Sequence, residues 1–280
     1  WPAGESAAER RLDAFCSSRL TGYRAERDAP ALDATSVLSP YLAVGAISPR
    51  RCIAAAAGRN GGGLDSGDPG AAAWISEVIW REFYRHIVVH FPRVSMGRAF
   101  KPATDRLQWS RDERLLAAWA GGRTGFPIVD AGMRQLAATG WMHNRVRMIV
   151  AMFLSKDLFL DWRLGERHFM LNLVDGDLAQ NNGGWQWSAS TGTDAAPYFR
   201  VYNPVSQSRA HDPKGVYIRR WVPELRDLPD EHLHDPSLLP ALLRTPLDYP
   251  MPVIDRSTTR ARVTAAFKAL SAGQSAPGGQ

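Results

Sequence analysis

Residues 175–187, DGDLAQNNGGWQW, set two carboxylates, Asp175 and Asp177, about a glycine, followed by two carboxamides and a glycine pair that lets backbone come close to a ligand. The Asp-Gly-Asp start invites a calcium-loop reading. That loop needs glycine at its sixth position and glutamate at its twelfth, where Gln180 and Gln186 stand, so calcium does not fit. Upstream, residues 140–148 (GWMHNRVRM) put Asn144, Arg147 and Met148 on one helical face. A second segment, 74–86 (WISEVIWREFYRH), repeats Trp74, Glu77, Trp80, Arg81 and Tyr84 at spacings of three and four. Aromatics mixed with opposite charges suit a pocket for a planar, polar-edged ligand. An Arg-Glu pair lying beside core tryptophans is the plainer alternative. In the third segment, 33–41 (DATSVLSPY), the hydroxyls of Thr35, Ser36 and Ser39 precede a helix, a place where phosphate binds to free N–H groups. Simple capping by Ser39 with Pro40 at the first helical position explains the same residues and is favoured on this segment alone. His232 and His234 lack a third ligand nearby, so no metal site is expected. The phosphate-loop, dinucleotide, serine-hydrolase and zinc-protease signatures are absent.

The elements that must carry these groups read as helices. Ser48 and Pro49 supply a cap and first residue, and Ser110 to Glu113 reads as a capping box. Helical periods cover about 71–90, 128–138, 141–155 and 164–173, and no run alternates as a strand does. Residues 58–70 read as a flexible surface loop. The expectation is one all-α domain over residues 1–270 and a disordered tail over 271–280. The 280 residues are 45% hydrophobic, ample for a core and incompatible with wholesale disorder. Two cysteines, Cys16 and Cys52, cannot build a disulfide framework, which makes a reduced cytoplasmic setting the default. The longest apolar run, 148–154, is far shorter than the roughly 20 residues a bilayer requires, and no signal peptide opens the chain, so no membrane is expected. A net charge of +6 favours a polyanionic partner. Ten tryptophans form a surplus to be divided among core packing, stacking platforms and redox work. The first residue is Trp1, and a fragment of a longer chain is expected.

Together the segments resemble the photolyase and cryptochrome family, in its carboxy-terminal helical FAD-binding domain. WREFYRH, TGFPIVDAGMRQLAATGWMHNRVRM, DWRLGERHF, DGDLAQNNGGWQWSASTGTDAAPYFR and NPVSQ occur in the family's order, and the likeness runs from Trp1 to about Arg226. Within the family the pattern is similar to the bacterial class I cyclobutane pyrimidine dimer photolyases, carbon-carbon lyases. The resemblance implies FAD as cofactor, reduced in the active state. It assigns Tyr23, Thr35, Ser36, Leu38 and Ser39 to the phosphates and ribityl chain, Trp74, Arg81 and Trp141 to further cofactor contacts, and Asn144, Arg147, Asp175, Asp177 and Asn181 to the isoalloxazine surroundings. An Arg147–Asp175 pair is implied beside the flavin, Asp177 toward its polar edge and Asn181 near N5, where a carboxamide can follow changes in protonation.

The same resemblance gives UV-damaged DNA as partner. It assigns Arg27, Glu77, Trp80, Asn144, Met148 and Trp187 to the flipped dimer, with Trp80 and Trp187 as walls, and Arg145 and Arg209 to the DNA backbone. Photolyases are among the standard cases of enzymes that take a nucleotide out of the stack. Glu77, Asn181, Met148 and Asn144 carry the catalytic expectation. Trp185, Trp162 and Trp109 match a chain passing electrons from the surface to the flavin, while Trp1, Trp119 and Trp221 remain structural. The implied reaction is light-driven: excited reduced FAD lends an electron to the dimer and recovers it once the ring has split.

Two relatives compete. Enzymes for the (6-4) photoproduct carry histidines where this chain has Asn144 and Met148, and His143 is one position off that face. Cryptochrome photoreceptors of the plant type carry aspartate at the Asn181 position and often long tails, so repair is favoured. A light-independent DNA-binding helical domain would leave the FAD pocket without a use. Val37 and Phe126 depart from common family residues without touching the ring in this reading. Full-length relatives begin with an α/β antenna domain, so no antenna chromophore is expected here, and a monomer is expected.

Overall fold

Proline-led, side-chain-capped helix starts recur along the chain, and the computed structural model, which describes residues 1–272, is all-α. Among the described residues there is no β-sheet, only an isolated bridge between Ser110 and Leu160. Ser48 Oγ accepts from Arg51 N–H at 3.1 Å ahead of helix Pro49–Arg59, as its sequence demands. Asp68 does the same for the long helix Pro69–His90, accepting from Ala71 N–H at 2.8 Å with Pro69 in the first turn. Gly70 is required there, because a Cβ would stand 2.2 Å from Leu20 O.

Five local expectations change. The cap of helix Glu113–Ala120 is Asp112, which accepts from Arg114 and Leu115 N–H, while Ser110 donates its N–H to Phe159 O. Ser39 does not cap: helix Ser39–Ala43 starts on it, and Leu38 before it is already in the right-handed helical region. The single helix expected over 141–155 is divided. Gly140, at φ 68°, closes helix Pro127–Thr139; His143 Nδ1 then accepts from Arg145 N–H to cap helix Asn144–Met152, and a π-helical turn, Phe153–Asp157, follows. The loop between the second and third long helices is shortened to 60–68 and tied across itself by Asn60, which donates to Gly63 O and Ser66 O and accepts from Asp68 N–H. Helix Trp162–Asn172, capped by Asp161, begins two residues ahead of its expected start. Helix Thr259–Ala272 ends the described chain, so the tail expected over 271–280 lies outside the described residues from 273 onward.

Two apolar cores set the architecture. Helices Glu5–Ser18 and Pro49–Arg59 and the first half of Pro69–His90 close around Leu12, Phe15, Trp74 and Ile75. Helices Pro127–Thr139, Asn144–Met152 and Trp162–Asn172 close around Trp119, Val150, Phe153, Trp162 and Trp185, and helix Leu178–Ala189 supplies the last of these. Each such buried side chain contributes about 1.5–3 kcal/mol. A small third cluster, Leu107, Phe159, Val263 and Phe267, holds the C-terminal helix. Helix Pro69–His90 packs on both Leu178–Ala189 and the short helix Tyr23–Glu26, so it stands where the two halves meet.

Candidate active site

Where those halves meet, a cavity of about 490 Å³ opens to solvent. Its N-terminal wall comes from helix Pro69–His90. Trp74, Ile75 and Val78 are buried in the core and Glu77, Trp80, Arg81 and Tyr84 line the cavity; Trp74 and Arg81 share a helical face and are separated along the axis. Its opposite wall comes from helix Asn144–Met152 (Asn144, Arg147, Met148), the turn Asp175–Asp177, and helix Leu178–Ala189 (Asn181, Trp185, Trp187).

Two guanidinium-carboxylate pairs form its polar end. Arg147 Nη2 donates to both oxygens of Asp175, at 3.0 and 2.8 Å, and its Nε to Met142 O at 2.8 Å; the Asp175 side chain is 1% exposed. Asp177 has two tasks. One oxygen caps helix Leu178–Ala189 through Ala179 and Gln180 N–H; the other accepts from Arg81 Nη2 at 3.0 Å and Arg85 Nη2 at 3.4 Å. Arg81 is buried, and burial pushes its guanidinium below the ordinary arginine value. Its Nη1 is buried without a hydrogen-bond partner, with Glu82 Oε1 in ion-pair range at 3.6 Å. Asn181 donates Nδ2 to Glu166 O at 2.9 Å, which leaves Oδ1 to accept a ligand proton. A cavity that gathers the Arg147–Asp175 pair, Asp177 with Arg81, and the Asn181 carboxamide between aromatic side chains offers donors and acceptors suited to a flavin's polar rim and N5. The residues therefore fit FAD.

The lesion-side residues meet here too, with different partners from those expected. Arg27 Nη1 and Glu77 Oε1 pair at 2.5 Å, so two groups expected on the dimer hold each other. Trp80 is 40% exposed beside Tyr84, its ring centroid 6.3 Å away, and Trp187 lines the cavity. Gly183 lets Tyr84 lie against helix Leu178–Ala189; a Cβ would stand 2.1 Å from its ring. Tyr84, on the helical face the sequence offers to a pocket, lines the cavity as well, and so does Asp28, which the sequence does not single out. Tyr84's place at the fourth position after Trp80 was the available signal; nothing local marks Asp28.

Several expected contacts lie elsewhere. Trp74 is buried in the N-terminal core, its ring 5.1 Å from Phe15, because it sits a turn behind the cavity face. Leu38 is also core, and Ser36 meets Arg11 through its carbonyl. Ser39 Oγ accepts from Trp141 Nε1 at 3.4 Å, a pair that does not line the cavity. From this loop only Thr35 does, alongside the buried Tyr23. Val37, between Ser36 and Leu38, is held at φ 48°, a region unfavourable for a β-branched residue, and this turns the loop. Arg145 is at the cavity but forks onto Asp28 at 3.1 and 2.6 Å, which removes it as a free phosphate grip. Arg209 is exposed on helix Pro204–His211, outside the cavity. His143 lies beneath the helix start, where burial lowers it to about 4 and keeps it neutral. Nor do the two late histidines pair: His234 is buried on Ser208 Oγ and His232 meets Glu231.

Trp185 lines the cavity, Trp162 is fully buried, and Trp109 packs on the edge of the same core. Gly165, on the helix that carries Trp162, admits the Trp185 ring to a distance no side chain would allow, 2.1 Å from a built Cβ. The three indoles do not stack: Trp185 touches Phe169 and Trp119, and Trp109 touches Phe159. All three have buried Nε1–H groups without partners, whereas Trp119 donates to Val150 O at 3.1 Å.

Residues 74–269 match the family described as the FAD binding domain of DNA photolyase. The chain is 49% identical over 274 residues to the deoxyribodipyrimidine photo-lyase of Escherichia coli, covering 98% of this chain and 58% of that protein. It is 50% identical over 260 residues to that of Vibrio cholerae, covering 93% and 55%. A bacterial class III photolyase from Agrobacterium tumefaciens superposes with a TM-score of 0.90 at 42% identity, over 97% of this chain and 57% of that one. A Synechocystis cryptochrome superposes at 0.86 and 34%, over 96% and 56%. The chain thus spans a little over half the length of these relatives. On the geometry and these likenesses together, it belongs to the photolyase and cryptochrome family, as an FAD-binding domain of the DNA photolyase type.

Proposed function

We propose that this domain carries out light-driven splitting of cyclobutane pyrimidine dimers in DNA. The observation that supports it best is one cavity joining the Arg147–Asp175 pair and Asn181 to the aromatic wall of Trp80 and Trp187, with Asn144 and Met148 between them. FAD bound there supplies light-driven donation and recovery of one electron, without net redox change. The chain's own residues do the rest. Arg147 and Asp175 present a matched donor and acceptor to the flavin edge. Asn181 offers Oδ1 as a fixed acceptor. Trp80 and Trp187 stack the extruded bases, whose removal from a damaged duplex costs less than from an intact one. Glu77 turns from Arg27 to a pyrimidine edge, and the freed Arg27 adds positive charge toward the DNA backbone.

A thymine-dimer duplex assayed in light, with a dark control and a (6-4) duplex beside it, tests this reading. Dimer loss in light alone supports it; loss only of the (6-4) product, or none with flavin bound, rejects it. Glu77→Ala is expected to weaken dimer binding about tenfold while flavin content stays unchanged, and equal dimer affinity would remove Glu77 from the lesion site. Trp109→Phe is expected to slow photoreduction of oxidised protein at least tenfold and to leave dimer splitting by chemically reduced protein intact; a parallel loss of both rejects the electron-relay role. A monomer in the cytoplasm, acting on UV-damaged DNA, completes the proposal. No helix among the described residues is long and apolar enough to cross a membrane, and both cysteines are buried and free.

A further inference from the structure

Lys156 has no exposed surface, yet nothing in the proposed reaction uses it. It sits in the π-helical turn Phe153–Asp157 that prolongs the helix bearing Asn144 and Met148. Its Nζ donates to Ser190 Oγ at 2.6 Å and to Tyr198 O at 3.3 Å, and lies 4.7 Å from the centre of the Phe267 ring. Ser190, at φ 64°, closes helix Leu178–Ala189, which carries Asn181, Trp185 and Trp187, and its Oγ donates onward to Ala196 O at 2.5 Å. One amine therefore joins the π turn, the end of the Asn181 helix, the 190–200 loop and the C-terminal helix. That loop borders the cavity through Asp194 and exposes Phe199 and Arg200.

We propose that Lys156 is a positioning residue, a latch that holds the 190–200 loop against the back of the cavity and so sets one border of the site. The inference rests on the reading of that cavity as the lesion site. The charged group acting on the amine is Lys101, a second cation. Asp157, next to it on the turn, is taken by Arg256 through its carboxylate at 2.7 Å and by Arg262 through its carbonyl. The loop offers Lys156 only a hydroxyl and a carbonyl, its Asp194 lying at the cavity, and the C-terminal helix offers a ring face. With no countercharge on it among the described residues, burial pushes the ammonium down to about 7 from the ordinary 10.5. A lysine depressed in the closed state takes up a proton when the loop lifts and the amine is hydrated. The latch therefore tightens as pH rises from about 7 to 10.5, and below about 7 the dependence ends because both states are charged.

Hydrogen exchange of the flavin-loaded protein, read at the amides of 191–200 and corrected for intrinsic rate, tests the latch between pH 6 and 9. Protection is expected to rise by up to about tenfold per pH unit above about pH 7. Lys156→Met is expected to abolish that slope and to weaken dimer-DNA binding about tenfold with flavin retained. A flat profile in the unsubstituted protein overturns the latch, as does an unchanged slope or unchanged dimer affinity in the variant. Should Lys156→Met fail to fold, the unsubstituted profile decides alone, and Ser190→Ala, which removes the nearest acceptor, is expected to lower loop protection severalfold; unaltered protection overturns it. The exchange measurement uses neither light nor dimer. A pH-dependent loop in a protein that does not bind dimers keeps the latch and rejects the lesion-site reading.

Discussion

Asp175→Ala is expected to yield a folded protein that loses its flavin on purification. The Asp175 carboxylate is essentially sealed from water and is the one ion-pair partner of Arg147 among the described residues. Removing one member of a buried pair costs about 3–5 kcal/mol, because the remaining charge keeps its desolvation without its compensation. Arg147 is 23% exposed, so water recovers part of this, and about 2–3 kcal/mol remains. If that falls on the cofactor-loaded state, affinity for FAD drops by about 30- to 150-fold. Asp175→Asn, which keeps an acceptor but no charge, should fall between. The measurement is the ratio of flavin absorbance to protein, followed by titration of the stripped variant with FAD. Full flavin occupancy in Asp175→Ala would sink the assignment of this pair to the cofactor.

Asp130→Ala is expected to produce the largest loss of stability at a position remote from the chemistry. Asp130 is completely buried, and its two oxygens accept from Thr124 N–H and Oγ1, Gly125 N–H and the Tyr249 hydroxyl. It thereby fastens the start of helix Pro127–Thr139 to the 249–253 segment, which crosses so close to Gly125 that a Cβ there would stand 2.4 Å from Pro252 N. Each buried donor left without an acceptor costs about 1–3 kcal/mol, and the four are coupled, so their sum overstates the effect. A loss of about 4–5 kcal/mol is expected, with a fall of roughly 10 °C in the melting temperature. Folded Asp130→Ala at low temperature should bind flavin as before, since Asp130 is not a lining residue. A melting temperature within about two degrees of the parent would show that the 249–253 segment is held by other means.

The helices were legible because their signals are local. Ser48 with Pro49 and the apolar periods over about 71–90 and 128–138 specify helices through contacts no more than four residues away, whereas helix Leu178–Ala189, capped by Asp177, lies outside the expected helical periods. The Arg147–Asp175 pair was legible in another way, through the family resemblance, since neither residue's neighbours in sequence state which partner it takes. Where two local signals compete, a distant pairing decides between them. Ser110 was set as a cap until pairing with Phe159 drew it away and Asp112 took its place.

Composition and periodicity by themselves determined an all-α chain and the helices over about 71–90 and 128–138, and the resemblance of its motifs to the photolyase family supplied most of the side chains that line the cavity. Tertiary structure decided which side chains face the cavity and which are already engaged. It put Trp74 in the core, tied Arg145 to Asp28 across 117 positions and Arg27 to Glu77 across 50, and buried Lys156 with no countercharge among the described residues. The physical reason is range. Capping and periodicity act within a turn or two, whereas an ion pair or a desolvated amine depends on which distant segment packing brings within about 3 Å, and on whether water is left there to compete.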